Sequence, residues 1–152
     1  MRECVLAFKY HQTRALRHVL GGWLLEALQE PELVGLDFDR IVPVPLHPKK
    51  EHKRGYNQAL LLAEAVSKST GIPVAQPLTR VVHTATQTRF DRRRRMENLR
   101  NAFAPAKDTS VNALRLLLVD DIFTTGSTMH ECARTLIAAG ARSVHAAAVA
   151  RG

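Results

Sequence analysis

The chain is poor in the residues that mark a stapled, secreted or membrane-bound protein. Cysteine occurs twice, at Cys4 and Cys132. The two lie far apart with no second cysteine near either, so there is no C-x-x-C metal or redox pair and no disulfide framework; both are expected as free thiols. No apolar run approaches the roughly 20 residues that span a bilayer. Met1-Arg2-Glu3-Cys4 does not open a charged, then apolar, then small-residue leader. The expectation is a cytoplasmic protein without membrane insertion. Gly 8 and Pro 7 exclude a collagen-like or low-complexity chain. Aromatics make up only 5% of the residues, which leaves few rings for stacking bases. Acidic residues are also short, 14 against 22 Lys+Arg, and the net charge of +8 favours polyanions or phosphorylated ligands. Two nucleotide motifs are missing. No G-x-x-x-x-G-K-[ST] occurs, and no G-x-G-x-x-G follows the first strand; Gly21-Gly22 sits inside a helical pattern.

What remains is an ordinary globular composition, 45% hydrophobic and 24% charged over 152 residues, enough for one core without staples. Without internal repeats or a Gly/Ser/Pro-rich linker, residues 1–152 read as a single domain with an N-terminal helical extension over about 1–38. Leu16, Val19, Leu20, Trp23, Leu24, Ala27 and Leu28 recur at helical spacing and predict a helix over 13–28, closed by Pro31. Residues 41–46 (Ile-Val-Pro-Val-Pro-Leu) predict a strand running into a proline-bounded loop. A basic stretch with Lys49, Lys50, His52, Lys53 and Arg54 then feeds a helix carrying Ala59, Leu62, Ala63 and Val66. Short extended pieces follow at 72–74 and 78–82, and then a polar excursion over 83–96 that holds five arginines. Residues 113–119 predict a strand buried on both faces, ended by Asp120-Asp121; a helix over 128–139 stops at Gly140, and 143–149 predict a last strand. The alternation of strands and helices predicts an α/β fold with a mostly parallel central sheet flanked by helices.

The chemistry concentrates in Val119-Asp120-Asp121-Ile122-Phe123-Thr124-Thr125-Gly126-Ser127-Thr128. Ligands of open α/β sheets settle beyond the carboxyl ends of the strands, where Asp120 and Asp121 emerge. Two adjacent carboxylates need donors or cations, and the vicinal hydroxyls of a ribose supply donors. Residues 124–128 offer successive backbone amides, hydroxyls and a helix N-terminus, with Gly126 permitting close approach; together these form a cradle for a monophosphate. The competing reading makes Thr124-Thr125-Gly126 a plain turn, Thr128 and Glu131 a capping box, and the aspartates solvated ends of a strand. His47, His52, His83 and His130 have no metal-ligand spacing, and no directly held metal is expected. Arg92 to Arg95 suit a nucleic-acid contact, a cover for pyrophosphate or a solvated turn. Phe8, Tyr10, Trp23 and Phe38 suit either a cap over the site or ordinary core packing.

The segment resembles the phosphoribosyl-pyrophosphate (PRPP) signature of type I phosphoribosyltransferases, two acidic residues followed by a T-T-G-S/T loop. The wider chain resembles the ComF family of competence proteins through Phe8-Lys9-Tyr10, Ile41-Val42-Pro43-Val44-Pro45-Leu46-His47-Pro48, Arg54-Gly55-Tyr56-Asn57-Gln58-Ala59, Gln87-Thr88, Arg92, Arg95, Asn98, Ala102-Phe103 and Ala150-Arg151. The resemblance implies the type I phosphoribosyltransferase fold. It also implies that Asp120 and Asp121 hold the ribose hydroxyls and act in catalysis, and that Thr124, Thr125, Gly126, Ser127 and Thr128 wrap the 5-phosphate. Leu46, His47, Lys49, Lys53 and Arg54 would receive pyrophosphate, and Gln87, Thr88, Arg92 and Arg95 would belong to a flexible loop. Mg²⁺ would arrive with PRPP. The implied partners are PRPP or a related ribose 5-phosphate ligand, single-stranded DNA and proteins of the DNA-uptake machinery. The cysteine-rich zinc-binding segment that opens many ComF proteins is absent from this sequence, which opens just before Phe8-Lys9-Tyr10; either this is a short form or its upstream portion is missing. The implied role is DNA uptake in natural transformation. A non-catalytic phosphoribosyl sensor or single-stranded-DNA-binding module, and a nucleobase salvage phosphoribosyltransferase, stand as alternatives.

Overall fold

In a computed structural model the described residues are 16–82 and 99–151. Three parallel strands form the centre: β1 (Arg40–Pro43), β4 (Arg115–Phe123) and β5 (Ser143–Arg151), in the order β1-β4-β5. Before β1 runs helix α1 (Leu16–Ala27); between β1 and β4 lie α2 (Pro48–Arg54) and α3 (Gln58–Thr70), and between β4 and β5 lies α4 (Ser127–Ala138). Two short strands, β2 (Leu78–Arg80) and β3 (Phe103–Pro105), pair antiparallel as a separate ribbon.

Strand β4 decides the layering. Leu116, Leu117, Leu118 and Val119 are fully buried, because alternate side chains enter different cores. Leu117 and Val119 pack with Leu20 and Leu24 of α1 and Leu62, Ala63 and Val66 of α3. Leu116 and Leu118 pack with Cys132 and Leu136 of α4 and with Leu78 and Phe103 of the ribbon. Helix α1 approaches α3 closely because Gly21 is buried and lacks a β-carbon; one placed there would stand 2.8 Å from Ala65 Cβ. At the opposite end of the sheet from the aspartates, Asp39 Oδ2 accepts from the Arg115 amide (2.7 Å) and Nε (3.1 Å), and Asp39 Oδ1 from Nη2 (3.0 Å), which locks the starts of β1 and β4 together.

Three expectations change. The strand expected to stop at Asp120 runs through both aspartates to Phe123, because Asp120 and Ile122 remain in register with Ala148 and Ala150 of β5. The strand expected over 41–46 ends at Pro43: Pro43 and Pro45 have no amide to donate, although the Val44 amide still bonds Val119 O at 2.9 Å. The basic stretch expected as loop contains α2, started by Pro48 after the His47 cap, whose Nδ1 accepts from the Lys49 amide at 3.2 Å, and stopped by left-handed Gly55 (φ 82°). Trp23 and Phe38 pack against the core formed by α1, α3 and the sheet. Phe8 and Tyr10 lie outside the described residues, as do Gln87, Thr88, Arg92 and Arg95 of the expected loop.

Candidate active site at the carboxyl ends of β1 and β4

The Val44–Val119 bond brings the end of β1 to within one residue of Asp120. Beyond Val44 the chain makes its excursion through α2 and returns at Asn57. That side chain is buried and does two jobs. Its Nδ2 donates to Val44 O at 3.1 Å, and its Oδ1 accepts from the Ala59 amide at 3.0 Å, capping α3. One residue thereby closes the 45–56 excursion at its root and begins the next helix. Leu46 and His47 are half-buried beside this root.

The two aspartates occupy different environments. Asp121 is buried, 6% exposed, while Asp120 is half-buried and its Oδ1 accepts from the Asp121 amide at 2.8 Å. The charge of Asp120 reaches Arg80 on β2 and Cys132 on α4. Burial pushes the Cys132 thiol far up, with Asp120 adding to it and Arg80 opposing, so this cysteine stays protonated. The Arg80 guanidinium lies 5.4 Å from the centre of the Phe103 ring. Burial lowers its pKa, against the charge of Asp120, which raises it.

Helix α2 is two-sided. Lys50 and Arg54, four residues apart, are half-buried, and the Lys50 ammonium is lowered by burial first and then by the charges of Arg80 and Arg54. Lys49, His52 and Lys53 are exposed. Lys50 thus feels the charges of both Arg54 and Arg80, and Arg80 in turn feels Asp120, an arrangement suited to a polyanion. Sequence reasoning passed over Arg80, because a single arginine in a three-residue strand carries no pattern. Its pairing with Phe103 brings it to the site from across the ribbon.

After β4 the turn 124–126 leads directly into α4. Gly126 is its N-cap, left-handed at φ 75° and without a side-chain cap bond. Thr125 Oγ1 and Ser127 Oγ share a hydrogen bond of 2.8 Å. Ser127 is buried, Thr125 and Thr128 are half-buried and Thr124 is exposed. The expected capping box of Thr128 and Glu131 is not formed. The helix begins a residue earlier, and the buried Glu131 carboxylate instead accepts from the Asn101 amide (2.7 Å) and from Arg134 Nη2 (2.7 Å) and Nε (3.0 Å). Arg134 holds this carboxyl below its usual range.

The fold agrees with the comparisons. Residues 59–152 match the phosphoribosyl transferase domain. Among solved structures, the chain is similar to glutamine PRPP amidotransferase from Bacillus subtilis (TM-score 0.56, 22% identity, 88% of this chain and 26% of that one). It is also similar to adenine phosphoribosyltransferase from Thermoanaerobacter pseudethanolicus (TM-score 0.53, 16% identity, 89% and 68%). The chain belongs to the phosphoribosyl transferase domain family and has the type I phosphoribosyltransferase fold. Within it, the similarity runs to the ComF-type competence and DNA utilization proteins. The DNA utilization protein YhgH of Salmonella typhimurium is 41% identical over 123 residues, 80% of this chain and 53% of the relative. Competence protein F of Haemophilus influenzae is 39% identical over 117 residues, 74% and 50%. Competence protein ComFC of Bacillus subtilis is 35% identical over 100 residues, 66% and 39%. The chain spans about half the length, or less, of these curated relatives. Among the described residues, no helix is long and apolar enough to cross a membrane.

Proposed function

We propose that this protein binds PRPP at the carboxyl ends of β1 and β4 and serves DNA uptake or utilization. The observation that carries the reading is the meeting of opposite charges around one strand end. Asp120 and Asp121 supply acceptors for two ribose hydroxyls, residues 124–128 supply amides and hydroxyls for a 5-phosphate, and Lys50, Arg54 and Arg80 supply positive charge for pyrophosphate. Leu46, His47, Lys49 and Lys53 border the pyrophosphate side. The chain 1–152 is taken to act as one domain.

In this reading the aspartates act electrostatically. As the bond from the anomeric carbon to pyrophosphate breaks, its electron pair leaves with pyrophosphate, and nearby carboxylates favour the positive character left on the sugar. The acceptor then forms the new bond to that carbon. The basic group on α2 and β2 receives the departing anion. Mg²⁺ would arrive with PRPP, held by the ligand's own oxygens rather than by a protein side chain, and would supply neutralisation of the pyrophosphate charge.

The test is calorimetric titration with PRPP and Mg²⁺ together with an assay for released pyrophosphate, on the wild type and on Asp120→Asn with Asp121→Asn. Tight wild-type binding that the double variant loses while remaining folded supports the site. Equal affinities in the two proteins overturn it. Release of pyrophosphate when nucleobase acceptors are added marks an enzyme, and binding without release in their presence favours a sensor or DNA-handling module. A second reading, a single-stranded-DNA-binding module, draws on exposed Lys49, His52 and Lys53 of α2 and the net charge of +8. It predicts affinity for single strands that falls steeply with added salt.

A further inference from the structure

We infer that Phe123 is a positioning residue for the turn 124–128, holding Gly126 in its left-handed conformation; the inference rests on the reading of that turn as a phosphate cradle. Phe123 ends β4 and is 36% exposed, yet it belongs to neither hydrophobic core. Its contact is with the turn. A β-carbon built on Gly126 would stand 2.7 Å from Phe123 Cζ, 3.1 Å from Cε2 and 3.6 Å from Cε1, so the ring edge occupies the space a side chain would take. The turn is otherwise held by the 2.8 Å bond that Thr125 Oγ1 and Ser127 Oγ share and by the His130 amide, which donates to Gly126 O at 2.8 Å; neither engages the Gly126 amide. Gly126 has no side-chain cap bond, and the Ser127 amide has only a long bond, 3.4 Å, to Thr125 Oγ1. A left-handed glycine is the least restricted residue in a chain, and its freedom would spread the amides that must converge on a phosphate. The ring removes that freedom without adding a bond that would compete with the ligand for the amides. Two constraints therefore meet at Gly126: a positive φ that disfavours a side chain, and a ring that excludes one.

A double-mutant cycle followed by denaturation tests the contact with no ligand present. Gly126→Ala alone suffers both the conformational strain and the collision with the ring; in a Phe123→Ala background only the strain remains. The losses in midpoint are therefore expected to be less than additive. Additive losses overturn the contact. Titration with inorganic phosphate and with ribose 5-phosphate tests its purpose. Phe123→Ala should weaken both by about tenfold, the size of one lost positioning contact, and Phe123→Leu should recover most of it. Asp120→Asn with Asp121→Asn should weaken only ribose 5-phosphate. Unchanged phosphate affinity in Phe123→Ala, with the wild type binding normally, overturns the positioning role alone. A wild type that binds neither phosphate overturns the cradle reading and the role with it.

Discussion

Asn57 Nδ2 donates to Val44 O at 3.1 Å, across thirteen residues of chain, and that bond is the fastening of the basic excursion to the sheet. Val44 is in turn bonded through its amide to Val119 O at 2.9 Å, so Asn57 ties the root of the excursion to the strand that carries the aspartates.

Asn57→Ala removes both the fastening and the α3 cap. The expected loss of stability is about 1–2 kcal/mol for the cap, with a further part of about 1–3 kcal/mol from leaving the Val44 carbonyl without this donor. Asn57→Asp keeps a capping oxygen but not the donor, so it separates the two effects. Urea denaturation gives the stabilities, and pyrophosphate affinity reads the excursion. If Asn57→Asp restores stability fully and binds pyrophosphate as the wild type does, the bond to Val44 is dispensable.

Arg80 should matter to one end of the ligand only. Replacing it with Met keeps the stem packed against Phe103 and removes the charge beside Lys50 and Asp120. Affinity for pyrophosphate is expected to fall by about 10–100-fold, as for one charge-assisted hydrogen bond, while ribose 5-phosphate binds as before. Equal losses for the two ligands in parallel titrations would point to a general loosening of the site instead.

How far the sequence carried these conclusions depends on the range of the interactions involved. The unbroken apolar run 116–119 was legible as a strand buried on both faces, and the acidic pair followed by T-T-G-S-T as a strand-to-helix turn, because these patterns are local. The extent of β4 was not legible. Asp120 looks like a strand breaker, and only its register with Ala148 keeps it extended. Helix α2 was missed because seven residues with four cations have no apolar stripe; its start is a histidine cap and a proline, its stop a left-handed glycine. Glu131 has the spacing of a capping box from Thr128, but Asn101, thirty residues away in the chain, offers its amide at 2.7 Å. Arg80 depends in the same way on a strand partner that no local pattern announces.

The two adjacent glycines of α1 make opposite predictions. Gly22 has nothing within 4 Å of the place its β-carbon would take. Gly22→Ala should therefore stabilise the protein by about 0.5–1 kcal/mol, the helix propensity gain. Gly21→Ala brings the same gain, but its new methyl would lie 2.8 Å from Ala65 Cβ and must force α1 from α3. Overpacking of about 1–3 kcal/mol should outweigh the gain. Thermal unfolding of the two single variants decides it, and a stabilised Gly21→Ala would show that the helices separate at little cost.

The pairing of Asp39 with Arg115 fixes an acid limit to stability. The Arg115 side chain, followed by its backbone amide, lowers the Asp39 carboxyl from 3.8 to about 2. A carboxyl depressed in the folded state contributes stability that is complete above its unfolded pKa and is lost as pH falls through the folded value. The contribution of this pair is thus present at neutral pH and fades over about pH 4 to pH 2. Because the pair is at the surface, its size is modest and falls with salt. Asp39→Asn removes the titrating group, so its stability should change less than the wild type's across that window and the two curves should converge toward the acid end. Denaturant midpoints measured in steps of pH at low salt test this, and curves that stay parallel down to pH 2 would mean that Asp39 titrates alike in the folded and unfolded chain.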